Sequence, residues 1–146
     1  MPNAVVIAIL VAAGSGAAVA IQGPINSLLN RNVGLIESTF VNFVVGAFVS
    51  GAAVLLFGTG DLRKLTGAPL YSMIGGILGV LIVTGVVLTI QRLGVAAGAA
   101  ALIVSQLLVA AAVDHYGLFG AERQPVSVST FVGIGMLIVG AYLIRR

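Results

Sequence analysis

Five long apolar stretches, Ala4–Ile21, Val33–Phe57, Ala68–Ile90, Gly94–Val113 and Val126–Ile144, take up most of the 146 residues. Each is about long enough to cross ~30 Å of hydrocarbon as a helix. The pattern predicts an all-α integral membrane protein with five transmembrane helices in one domain over residues 1–146, because no connection is long enough to hold a second domain. In chain order the loop cations alternate sides. Arg63, Lys64 and Arg123 fall on the side of the N-terminus, and Arg31, Arg92, Arg145 and Arg146 on the other. Lys/Arg bias normally sets orientation, and three against four sets none. A chain of this kind can insert both ways and pair head to tail, which predicts an antiparallel dual-topology homodimer of ten helices, an inverted repeat of the sort many transporters use.

Composition narrows the class further. Charged residues are 8% of the chain and hydrophobic ones 60%, against ~25% charged in a typical soluble domain. The net charge of +3 does not indicate nucleic acid, because the basic residues are scattered over loops and the C-terminus with no stripe to track a backbone. They read as flank anchors at the lipid surface. With no Cys and a single His, disulfides, thiolate chemistry and a multi-ligand metal site are not expected. Met1-Pro2-Asn3 has no basic n-region, so the first stretch is expected to stay as a helix and not to act as a cleaved signal. No G-x-S-x-G, H-E-x-x-H or P-loop motif occurs, so neither an enzyme nor a cofactor is expected.

The connections carry turn chemistry. Asn30-Arg31-Asn32-Val33-Gly34 separates the first two stretches, Gly58–Gly67 the next, and Gln91-Arg92-Leu93-Gly94 is very tight. Asp114–Pro125 is the longest, with Pro125 placed where a fifth helix would start. Small residues at four-residue spacing, Gly75/Gly79 and Gly94/Gly98, let backbones approach closely in lipid, as packing or as a mobile interface. The fourth stretch, with Ala96-Ala97-Gly98-Ala99-Ala100-Ala101, is expected at the centre of the bundle.

Polar side chains within hydrocarbon are costly unless partnered or wet, so each is a candidate site residue. In Gln22-Gly23-Pro24-Ile25-Asn26, Pro24 removes a helix bond from the carbonyl of Ala20, and Gln22 and Asn26 share one helix face. This is either a substrate-facing polar kink or a proline-marked helix end. Glu37, with Ser38, Thr39 and Asn42, makes the opening of the second stretch polar. Burial favours the neutral form of a carboxylate, so Glu37 suits a proton-coupled carrier or a cationic substrate; equally, an acid in a first turn complements the helix dipole. Gln106 is a mid-stretch amide, an interhelical hydrogen bond or a ligand. Asp114 and His115 are a possible proton relay or a helix end meeting water.

Gln22-Gly23-Pro24-Ile25-Asn26 and Asp114-His115-Tyr116-Gly117-Leu118-Phe119-Gly120 together resemble the YdcZ-type small integral membrane proteins, related to the drug/metabolite transporter superfamily. Phe43 to Gly46, Gly75-Gly76 with Gly79, Arg92-Leu93-Gly94, Gln106 and Pro125 also fit, so the resemblance runs over nearly the whole chain. It implies five helices per chain, antiparallel assembly, small-molecule transport and a multi-pass place in the bacterial inner membrane. Family members often carry tryptophan before the Gly-Gly of the third helix, where this chain has Leu70-Tyr71-Ser72-Met73 and no Trp anywhere. An aromatic box for a cation is therefore not expected there, although Tyr71 could substitute.

Together these features predict secondary transport of a small polar or cationic metabolite around Gln22, Asn26, Glu37, Asn42 and Gln106, with Asp114 and His115 as the relay. The expected partners are that substrate, membrane lipid and a second copy of the chain. The alternative is a non-transporting subunit packed on a larger partner. A passive channel would differ from both in showing flux without saturation.

Overall fold

The computed structural model describes residues 2–144, so Arg145 and Arg146, which complete the charge count, lie outside the described residues. Five α-helices follow one another: α1 Pro2–Val33, α2 Leu35–Phe57, α3 Ile74–Leu93, α4 Val95–Tyr116 and α5 Val128–Ile144. Short 3-10 turns at Leu62–Gly67, Leu70–Met73 and Leu118–Gly120 fill the connections, and no strand occurs among the described residues. Four helical stretches are long and apolar enough to cross a membrane: Asn3–Val33, Leu35–Phe57, Leu70–Leu93 and Val95–Tyr116. The fifth helix has 17 residues, roughly 26 Å at 1.5 Å per residue.

Three boundaries differ from the sequence expectation. Proline 24 neither ends nor marks the end of a helix, because α1 runs through it for 32 residues to Val33. A proline removes one backbone bond, and the apolar and helix-tolerant residues on either side supply enough others to carry the helix on. In the third stretch, the expected start at Ala68 is taken up by Pro69 and a 3-10 turn, and α-helix begins only at Ile74. Pro125 lies outside α5, whose first turn is instead capped by Ser127, the Oγ of which accepts from the backbone N–H of Thr130 at 3.2 Å.

Two helix pairs are joined by a single residue. Gly34 (φ 98°, ψ 161°) separates α1 from α2, and Gly94 (φ 82°, ψ 171°) separates α3 from α4. This backbone region is essentially closed to residues with a Cβ, so one glycine turns the chain with no loop. Helical hydrogen bonding continues to the turn on both sides. Gly34 N–H donates to Asn30 O at 2.9 Å and Ser38 N–H to Gly34 O at 3.0 Å; the matching bonds are Gly94 to Ile90 at 2.9 Å and Gly98 to Gly94 at 3.1 Å.

The chain divides into two compact units, Met1–Leu88 and Thr89–Arg146. In the first, α1 packs on α2. Thr39 meets Thr84 of α3 at 3.3 Å, and the ring of Phe43 fills the space beside Gly79, where a Cβ would come to 3.1 Å from its Cζ. Moving forward along α2 from Thr39 to Phe43 moves backward along α3 from Thr84 to Gly79, so those two helices run antiparallel. In the second unit α4 packs on α5 and Gly98 lies against Thr89, whose Cγ2 would sit 3.2 Å from an added Cβ. Of the spaced glycines singled out in the sequence, Gly79 and Gly98 are in contact, whereas Gly75 faces open space.

Candidate functional site

Among the described residues the buried polar side chains are Asn26, Ser27, Ser38 and Thr39, and the buried apolar ones are only Val87 and Ile134. Large aliphatic and aromatic side chains point outward, Leu55 at 87% exposure and Phe48 at 77%. A water-soluble domain has the opposite order. With hydrocarbon as the outer solvent the arrangement is the stable one, since polar groups that cannot reach water gather where they can meet each other.

All four buried polar side chains belong to the first unit. Asn26 and Ser27 lie on α1, and Ser38 and Thr39 on the opening of α2. Asn42 stands one turn beyond Ser38. Asn26 lies eight residues before Gly34 and Asn42 eight after it. Most hydroxyl protons here are already committed. Ser38 Oγ donates to Leu35 O at 3.0 Å and Thr39 Oγ1 to the same carbonyl at 2.9 Å. With its proton so placed, Thr39 accepts from Thr84 Oγ1 across 3.3 Å. The Asn42 amide nitrogen is buried and has no hydrogen-bond partner among the described residues. Buried polar groups are nearly always paired, so this one calls for an explanation.

The other candidates lie elsewhere. Gln22 is exposed on α1. Glu37 is exposed too. Its carboxylate folds back over the turn, where a Cβ on Gly34 would come to 2.5 Å from Oε2, and it occupies the first turn of α2, where an acid complements the helix dipole. Gln106 is exposed, midway along α4 in the second unit. Asp114 is exposed, and its backbone carbonyl accepts from Gln124 N–H at 2.8 Å. His115 works as a clasp: its Nδ1 accepts from Val126 N–H at 3.2 Å, while its carbonyl takes the Arg123 Nε–H at 3.1 Å. These bonds hold the α4–α5 connection to the end of α4. Beside the clasp is a largely apolar cavity of about 280 Å³ lined by Leu108, Ala112, Val126, Phe131 and Ile134.

Neither Ser27 nor Thr84 was singled out in the sequence. Ser27 adjoins Asn26 in the chain, and Thr84 pairs with Thr39 because α3 passes α2 there.

A family model described as "Putative inner membrane exporter, YdcZ" matches residues 7–143. No curated protein and no solved structure matches the chain.

Proposed function

The chain belongs to the YdcZ family of inner membrane exporters, and on that premise we propose that it carries a small polar molecule outward by alternating access as an antiparallel homodimer. It is a multi-pass inner membrane protein of a transporter family and not of an enzyme family. In this reading α5 is the fifth span, since 17 residues lie at the short end of what crosses hydrocarbon. The five helices act as one domain in the membrane. The observation that carries the transport reading is that Asn26, Ser27, Ser38 and Thr39 are buried, and the Asn42 amide nitrogen buried without a partner, in a first unit whose exposed surface is largely apolar. A scaffold needs no such group. Gln22, on the Asn26 face of α1, would line the approach.

Support for the antiparallel pair comes from α4. Its sequence from Ala99 to Ala112, AAALIVS followed by QLLVAAA, is a size palindrome: three alanines at each end, three aliphatics inside them, Ser105 and Gln106 at the centre. The midpoint of the helix Val95–Tyr116 falls between those same two residues. A helix symmetric about its middle is complementary to a second copy running the other way. Such a pair sets Ala99 opposite Ala112 of the partner subunit and brings the two Ser105–Gln106 pairs together. It also covers the exposed Gln106 amide, which at mid-span would otherwise face hydrocarbon; polar contacts of this kind contribute about 1–2 kcal/mol between membrane helices.

Two experiments test the reading. The extracellular metabolite profile of cells making the protein is compared with that of cells making Asn26→Ala. At least one small polar metabolite is expected outside in the first and reduced tenfold or more in the second (about 1.4 kcal/mol of lost transition-state binding). Identical profiles would leave a non-transporting subunit. For the dimer, chains carrying Ala99→Cys and Ala112→Cys are co-expressed with different tags. Disulfide heterodimers are expected, with no Ala99→Cys homodimer, whereas a homodimer would mean parallel packing.

A further inference from the structure

We propose that the Asn42 amide takes a neutral hydrogen-bonding group of the transported molecule, a hydroxyl or a carboxamide, and that the site selects against both ammonium and carboxylate groups. The inference rests on the transport reading above and adds the chemistry of the cargo.

One turn back from Asn42 on α2, Ser38 and Thr39 have spent their hydroxyl protons on the carbonyl of Leu35, and Thr84 of α3 spends its own on Thr39. What these hydroxyls still offer is lone pairs. The Asn42 Nδ2, in contrast, is a buried donor with nothing to donate to. A ligand completing the group therefore needs an acceptor for Asn42 and a donor for the hydroxyl oxygens. A hydroxyl or a carboxamide is both at once, and meets the Asn42 amide whichever way it is turned. An ammonium has no acceptor, and a carboxylate has no donor.

Charge decides the same way. Asn26, Ser27, Ser38, Thr39, Asn42 and Thr84 are all uncharged. The nearest ionisable residues along the chain, Arg31 and Glu37, are exposed, with Glu37 folded over Gly34. A full charge brought into such a site would lose its hydration with no counter-charge to replace it. A neutral polar group loses far less and regains it through hydrogen bonds.

The test uses the purified full-length protein and three probes of similar size: erythritol (neutral, four hydroxyls), threonate (a four-carbon anion with three hydroxyls) and choline (a cation). The readout is the temperature at which half the monodisperse protein is lost on heating. Erythritol is expected to raise it by several degrees more in the wild type than in Asn42→Leu, the variant that reports the general stabilising effect of polyols. Threonate and choline are expected to shift the two proteins equally. Asn42→Asp, nearly isosteric, should gain a choline response. A threonate or choline shift that depends on Asn42, or an erythritol shift equal in wild type and Asn42→Leu, overturns the proposal. The two readings fail separately. An Asn26-dependent export of an ionic metabolite would leave transport standing and remove this inference. An Asn42-dependent erythritol shift with no Asn26-dependent export would do the reverse.

Discussion

The two single-glycine turns have nearly the same backbone and quite different surroundings. Gly34 and Gly94 differ by only 16° in φ (98° against 82°) and 10° in ψ (161° against 171°). Each is framed by the same pair of helical hydrogen bonds, and each has a buried residue four positions later. After Gly34 that residue is Ser38, followed by buried Thr39; after Gly94 it is Gly98. The first is followed by buried hydroxyls, and the second by a glycine that lies against Thr89. The turn thus joins two membrane helices through a single residue, and the residues that follow it differ between the two. This is why the candidate site belongs to the first turn and not the second.

The largest expected effect comes from breaking the turns themselves. Gly34→Ala and Gly94→Ala both force a Cβ into a backbone region that costs about 1–3 kcal/mol. At Gly94 an added Cβ meets nothing within 4 Å, but at Gly34 it comes to 2.5 Å from the Glu37 carboxylate. Gly34→Ala is therefore expected to be the more damaging, measured as the half-life of the folded protein in detergent at fixed temperature. Adding Glu37→Ala should bring it level with Gly94→Ala. If the two glycine variants decay at the same rate, the carboxylate yields freely and the asymmetry between the turns is only in their polarity.

Next in size is a change with opposite effects on stability and function. Replacing Asn42 by Leu removes a buried donor with no partner. Leaving such a group unmet costs about 1–3 kcal/mol, so Asn42→Leu is expected to be the more stable protein while losing export. Thr39→Val should lower stability by about 1 kcal/mol, because it leaves Thr84 without the oxygen it bonds to. Chemical-denaturation midpoints of the two variants, read beside the export profile, separate the alternatives. A destabilised Asn42→Leu would mean that the amide is a structural group, and the contrast between the turns would lose its functional half.

The helices and the tight connections were legible from apolar run length and glycine, because lipid imposes one strong rule on spanning segments. Asn26 and Asn42 were legible for the same reason, as polar residues in apolar runs. Less legible were the passage of α1 through Pro24, the burial of Ser27 and the pairing of Thr84 with Thr39. A proline removes one bond whatever follows it, and whether a helix survives depends on packing that run length does not encode. Glu37 was legible as a residue and not as a position. Its side chain turns back over Gly34, a matter of a few ångströms around one positive-φ residue. His115 was likewise legible as a residue and not as a position, since the turn beyond Tyr116 brings the Val126 N–H to its imidazole.

The smallest effect sharpens the comparison from the other side. If polar groups in the second unit serve architecture, removing the best placed of them should cost stability alone. His115→Ala deletes the acceptor for Val126 N–H at 3.2 Å and leaves intact the bond from Arg123 to its own backbone carbonyl. The loss of one such bond is about 0.5–1.5 kcal/mol, read as a small fall in the denaturation midpoint. Export should be unchanged. His115→Asn, which keeps a side-chain acceptor on a shorter stem, should recover part of the loss. If His115→Ala instead abolishes export at nearly unchanged stability, the imidazole belongs to the transport path. The site would then draw on both units, and the division of labour between the turns would have to be given up.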